Sequence, residues 1–365
     1  MPSIFVKDDL RASVEAATGG KCTVLYTAAS QPCFMNIIPK FLLEDIDPGL
    51  GTGVHPAFIV GGVEKPELFI GTHQGIAKNG EFLSLPGVDP TNSQSFDYFA
   101  NLARANGPGW HAISNVEFAA LALWCWKNGF MPRGNTNYGK SSDSAWETGR
   151  RVDGGTPGDT TGTPRTMTGS GPVSWRHDNS SNGIADLAGN VWEWTPGVRL
   201  VAGEVHVIQN NDSALAATDL GQTSSAWKAI DGDTGALIAP TFTGSVVGGD
   251  YVATTPKSVR FAGSGTANYT LVRTSGFSFE LLSNPGVVPV APAALTVLKK
   301  YGLYPVASSG LGGDALFFDV TGERLGLRGG PWSHAAGLAG VFALGLYYSR
   351  SMQTPIVGSR PAFVL

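Results

Sequence analysis

The chain has 365 residues, enough for one enlarged domain or two modest ones, with 15% charged residues and a formal net charge of −4. That balance, with no run of Lys or Arg, gives no basic surface for nucleic acid. The 49 glycines, about twice the ordinary share, favour a loop-rich fold with many tight turns over a helical bundle.

From the N-terminus, MPSIFVKDDLRASVE is charged by Lys7 and holds no apolar stretch of signal-peptide length. No later segment approaches the ~20 apolar residues of a membrane span, so insertion in a membrane is not expected. Cys22, Cys33 and Cys125 are an odd number at spacings that match neither a zinc site nor a disulfide framework. Cys125, inside the apolar run LALWCW, reads as a buried small hydrophobe. These features predict manufacture in the cytoplasm, with later release or attachment to a virion left open.

Residues 1–90 alternate short apolar runs with Gly, Pro and Asp breaks: CTVLYTA, FMNIIPKFLL, AFIVGGV and ELFIGTH. They read as short strands. Next, Phe96, Phe99, Leu102 and Ala103 fall at helical spacing, and Gly107-Pro108 ends the pattern. A second helix follows, in which Ser114 and Glu117 form an S-x-x-E capping box and Gly129 is a C-cap. Residues 131–185 show almost no apolar period, which is unusual unless the segment is functional or pinned by a scaffold. The block 205–300, rich in Thr, Ser, Gly and Ala, reads as strands and turns inserted in a parent fold, closing with a short helix in APAALTVLKKYGLYP. DALFFDV, LGLRGGPW and AGVFALGLYYSRS look like buried strands. The class is α+β: two helices early in a chain of short antiparallel sheets and long irregular loops, with a β-rich insertion.

The most specific strings are GIADLAGNVWEW at 183–194, RGGPW at 328–332 and GSRPA at 358–362. Trp192 and Trp194 alternate with Val191 and Glu193, as on a strand with one aromatic face. Asn190 suits an irregular turn after Gly189, and Gly329-Gly330 mark a bulge or a close backbone approach. All of these residues also suit a purely structural role.

In this order the three strings resemble the formylglycine-generating-enzyme branch of the C-type-lectin fold, from about residue 65 to the C-terminus and interrupted by 205–300. The capped helix SNVEFAALALW is similar to that family's as well. The resemblance implies a single elaborated domain over 1–365. It also implies a structural Ca²⁺ at Glu193, with backbone oxygens around Gly189 and Val191; such oxygen ligands suit that ion. It does not carry the chemistry over. The family's oxidases use a cysteine pair near the C-terminus, and here no cysteine follows Cys125. The related iron enzymes use a histidine cluster, whereas His55, His73, His111, His177, His206 and His334 are scattered singly. The expectation is a protein without catalytic residues and without a required cofactor.

The stretch 325–365 is similar to the variable region of diversity-generating retroelement proteins, lectin-fold receptor binders that include phage tropism determinants. Their pattern of R-G-G-x-W, a variable patch, A-G-x-F-A-L-x-L, a second patch and G-F-R-P-A maps onto Arg328, Gly329, Gly330, Trp332, Ala339, Gly340, Phe342, Ala343, Leu344, Leu346, Gly358, Arg360 and Pro361. Ser359 stands where the pattern has Phe, which loosens the register of the last patch. Between these fixed points lie Ser333, His334, Gly337, Leu338, Gly345, Tyr347, Tyr348, Arg350 and Ile356, which with Ser359 form the expected ligand-binding set. Mutagenesis at template adenines reaches each of those nine residues from Asn codons, but neither Met352 nor Gln353. Tyrosine pairs also suit recognition. The implied partner is a protein or glycan on a target surface, and the oligomeric state stays open. The alternatives are a divergent metal-dependent oxidase and a fixed-specificity lectin; no E-P-N or Q-P-D sugar-binding tripeptide stands out for the latter.

Overall fold

A computed structural model describes residues 8–245, 250–273, 276–334 and 337–365; residues 1–7, on which the reading of the N-terminus rests, lie outside it. The first element is one that the apolar pattern does not announce. Helix α1, Asp9–Thr18, buries none of its residues, so it carries no apolar stripe. Its ends are set by local chemistry: the Asp8 carboxylate accepts from the Arg11 N–H at 3.0 Å, and Gly19 closes the helix in the left-handed region.

The expected strands follow: β1 Cys22–Tyr26, β2 Pro32–Pro39 and β3 Glu67–Gly71. Helix α2, Phe96–Ala105, buries Phe96, Phe99, Ala100 and Ala103 on one face. After β4, Trp110–Ala112, comes helix α3, Asn115–Asn128, with the capping box formed from both sides and Gly129 as its left-handed C-cap. Helix α3 is buried on most of its faces, as expected of a central helix.

Residues 131–185 contain no longer element than the short 3₁₀ turn Val173–Trp175, and buried polar side chains pin them instead. The Arg151 guanidinium binds both carboxylate oxygens of Asp153, at 3.0 and 2.7 Å, and reaches the carbonyls of Thr156, Asp159 and Thr161 at 3.1, 2.5 and 2.5 Å. One cation thus gathers the oxygens of a ten-residue loop whose backbone has no regular ladder to join. Glu147 does the same nearby, accepting from Arg133 and from the Trp175 indole.

The remaining strands are β5 Trp192–Val201, β6 Glu204–Ile208, β7 Arg260–Ala262, β8 Thr270–Arg273, β9 Leu282–Ser283, β10 Leu316–Phe318, β11 Glu323–Gly329, β12 Gly340–Tyr348, β13 Val357–Gly358 and β14 Pro361–Phe363; helix α4 is Pro292–Lys300. One sheet has the order β1-β2-β3-β14-β4, so the C-terminal strand closes it between two early ones. The second sheet has eleven strands, with the path β9-β8-β7-β6-β5-β11-β12-β10; Trp227–Ile230 joins on β6, Leu237–Ile238 on that strand, and β13 on β5.

The architecture is α+β with few helices and many strands, but it differs from the expected one in two respects. Helix α1 is additional. The large sheet is mixed rather than antiparallel, with parallel pairs β7–β8, β10–β12 and β13–β5. The 205–300 block continues this sheet: β6 pairs with β5, and β7 to β9 extend it. Helix α3 packs against β5, β11 and β12; β5 and β11 carry two of the motif strings, and the third reaches β5 through its pairing with β13.

Candidate ligand-binding surface

The motif residues form the frame of the site. Trp192 and Trp194 are fully buried on β5, with Trp194 edge-on to Phe96 at 5.9 Å. Between them, Glu193 is 1% exposed and faces a fully buried Arg360. The guanidinium donates to Oε1 at 2.8 Å and Oε2 at 3.1 Å, and also to the carbonyls of Gly71 and Ala185, each at 2.8 Å. One side chain of the GSRPA string therefore ties β5 to the end of β3. Gly189 has φ 75°, and a Cβ there would lie 2.2 Å from the Asn135 carbonyl oxygen. Asn190, at φ 64°, accepts from the Thr166 N–H at 2.8 Å and holds the turn.

Arg328 is also fully buried. It donates to Asn115 Oδ1 through Nε at 2.9 Å and Nη2 at 2.8 Å, and to the Gly302 carbonyl at 2.8 Å. The charge sits beside the C-terminal end of α4, where the helix dipole favours a cation. Burial pulls its pKa below the ordinary guanidinium value. After it the strand bulges: the β11–β12 register shifts between Arg328 and Gly329, where Gly329 has φ 90° and a Cβ would sit 2.9 Å from the Leu187 carbonyl oxygen.

Next to this frame lies an aromatic strip. The His334 ring is 5.7 Å from Trp192 and 5.1 Å from Phe317. Tyr347 is 5.9 Å from Phe317 and 4.2 Å from Tyr348. Phe277, 44% exposed, extends the strip 4.8 Å from Phe317, with the Arg273 guanidinium 4.7 Å above its ring. Burial lowers the His334 pKa to about 4, so the ring is neutral at pH 7, and its Nδ1 has no hydrogen-bond partner. The buried indole N–H of Trp332 also lacks one. Burial raises the Tyr347 hydroxyl well above the ordinary phenol value. Neutral rings and a flanking guanidinium together offer stacking rather than proton transfer.

Of the ten expected contact residues, eight are half-buried, namely Ser333, His334, Gly337, Leu338, Tyr347, Tyr348, Arg350 and Ile356, and of these His334, Tyr347 and Tyr348 lie on the strip. Two are not surface positions. Ser359 is fully buried and donates to the Trp194 carbonyl at 2.9 Å, so it belongs to the frame. Gly345 is buried in β12, and a Cβ on it would come within 2.9 Å of the Tyr347 ring and 3.2 Å of Leu327. Arg350 is at the surface but not idle: it binds Glu323 at 3.0 and 3.1 Å, Asp97 at 2.7 Å and the Leu220 carbonyl at 2.9 Å. Sequence reasoning missed Phe317, Phe277 and Arg273. Phe317 was legible only as one of two adjacent aromatics in DALFFDV, and nothing local marked Phe277 or Arg273 as its neighbours.

The Ca²⁺ reading of Glu193 fails on the donor set. Both carboxylate oxygens accept from Arg360, and Oε1 also lies 3.2 Å from Gln74 Nε2. The carbonyls of Gly189 and Val191 face that same amide nitrogen, at 3.4 and 3.0 Å. A cation already compensates the charge and an amide fills the space, so the residues present do not fit the ion.

No known family model matches the sequence, and no curated protein matches it. No helix among the described residues is long and apolar enough to cross a membrane.

Proposed function

We propose that this chain is a non-catalytic ligand-binding protein. In this reading it has a C-type-lectin fold of the formylglycine-generating type and displays a retroelement-diversified surface over residues 333–356. The observation that carries the reading is the strip of half-buried His334, Tyr347, Tyr348 and Phe317 and exposed Phe277, beside a frame whose buried charges are satisfied without it. Side chains can change on such a face while the sheet beneath stays fixed. The partner is a protein or glycan on a target surface, met by aromatic faces and the Arg273 guanidinium.

The state of the thiols weighs against the oxidase alternative. Burial raises all three, Cys33 to about 12, which suppresses the thiolate that such chemistry needs.

Sequencing the locus around the gene tests the proposal. A near-copy of the segment encoding 325–365, differing at adenines and adjacent to a reverse-transcriptase gene, is the expected result. The differing codons should include those of His334, Tyr347 and Tyr348 and spare those of Gly345 and Ser359. With no copy and no reverse transcriptase, the variable surface falls, and a fixed-specificity binder takes its place.

A further inference from the structure

The loop after β3 buries Gln74 completely and directs its carboxamide into a nest of oxygens. Nε2 lies 3.0 Å from the Val191 carbonyl, 3.2 Å from that of Asp186, 3.4 Å from that of Gly189 and 3.2 Å from Glu193 Oε1. Its orientation is fixed from the other end, because Gln74 Oε1 accepts from Asn190 Nδ2 at 2.9 Å. An amide has two hydrogens, so four acceptors around one nitrogen exceed what it can serve. Arg360 supplies the remainder, donating to Glu193 and to the Asp186 carbonyl at 3.3 Å. Three carbonyls and a carboxylate converging on one point form the donor set of a hard cation.

We infer that the Gln74 carboxamide and the Arg360 guanidinium replace a metal ion at this nest, so that the frame is locked and the neighbouring surface binds without Ca²⁺. The charge count supports the replacement. Glu193 and Arg360 neutralise each other, and the Asp186 carboxylate is engaged by the Gly169 N–H at 2.8 Å. A divalent ion entering here would be a buried charge opposite an already paired carboxylate. It would also have to expel the amide and pull oxygens now 3.0–3.4 Å from nitrogen inward to about 2.4 Å. The substitution has a structural return that a loop-bound ion lacks: Gln74 and Arg360 join the loop after β3, the turn at 186–191 and the C-terminal strand through side chains of the chain itself.

Thermal unfolding of the full chain in chelator and in excess Ca²⁺, with metal analysis of the purified protein, tests this inference. The wild type should melt at the same temperature in both, within about 1 °C, and hold no stoichiometric Ca²⁺. Gln74→Glu keeps the acceptor for Asn190 but places a carboxylate oxygen in the nest. It should melt lower than wild type in chelator, and Ca²⁺ should raise its midpoint by about 5 °C or more. A wild-type midpoint that climbs several degrees with Ca²⁺, or one ion retained per chain after chelation, overturns the inference. So does a folded Gln74→Glu protein that ignores Ca²⁺. If that variant does not fold, the wild-type melting and metal content decide alone.

Discussion

The two sides of β5 solve opposite problems. Around Glu193, Gln74 and Arg360, every buried charge has a partner, and side chains far apart in sequence meet within 3.4 Å. A few residues away, at His334, Tyr347, Tyr348 and Phe317, the contacts are between rings, with centroids 4.2–5.1 Å apart in the tightest pairs. A charge network so closely satisfied cannot lose a member cheaply, because the group left behind stays buried and unpaired. The rings of the strip pack on the core from one side but hold no buried charge in place, so they can change at lower cost. The contrast shows where stability resides and where recognition can reside.

Breaking the frame should have the largest effect. Arg360→Met leaves Glu193 buried with only the Gln74 amide, and should cost about 3–5 kcal/mol in chemical denaturation.

A pH-dependent contribution comes next, from a carboxyl before β10 that faces β12. Asp314 is buried and accepts from the Phe342 N–H at 2.7 Å, and burial raises its pKa from 3.8 to about 7. The folded state therefore holds this proton more tightly than the unfolded chain between about pH 4 and pH 7. Stability from this group should fall as pH rises through that window, by at most about 1.4 kcal/mol per pH unit. Asp314→Asn should flatten this component when unfolding free energy is measured across the window; an unchanged slope would assign it to other groups.

Smaller effects sharpen the boundary between the two regions. Gly345→Val crowds Leu327 and the Tyr347 ring and should cost about 1–3 kcal/mol. Ser359→Ala loses one hydrogen bond to the Trp194 carbonyl and should cost about 1 kcal/mol. Tyr348→Ala, on the strip, should change stability by no more than about 0.5 kcal/mol. Equal losses at Ser359 and Tyr348 would erase the distinction drawn between them.

What could be read from sequence was whatever a local signal encodes. The capping box at Ser114 and Glu117, the period of α2, the terminal strands and the glycine bulge after Arg328 all show in a few neighbouring residues. Helix α1 escaped because it buries nothing, so only its caps could have marked it. The partners of Glu193 and Arg328 escaped for another reason. Arg360 lies 167 residues from Glu193, and Asn115 lies 213 from Arg328, and no periodicity reports such pairings. The Ca²⁺ reading of Glu193 came with the family resemblance, and nothing local showed that Gln74, 119 residues away, fills the space among those oxygens. Ser359 and Gly345 passed as surface positions because a small residue between framework residues looks alike whether it is exposed or has no room for more.

The central claim, that the frame carries the fold and the strip is free to vary, is tested most directly with two combinatorial libraries of the full chain displayed on cells. One randomises His334, Leu338, Tyr347 and Tyr348; the other randomises Gly345, Ser359 and Arg360. Protease resistance of the displayed chains is then scored. The account predicts that most members of the first library remain resistant and that few of the second do. Comparable loss of resistance in both libraries would contradict it.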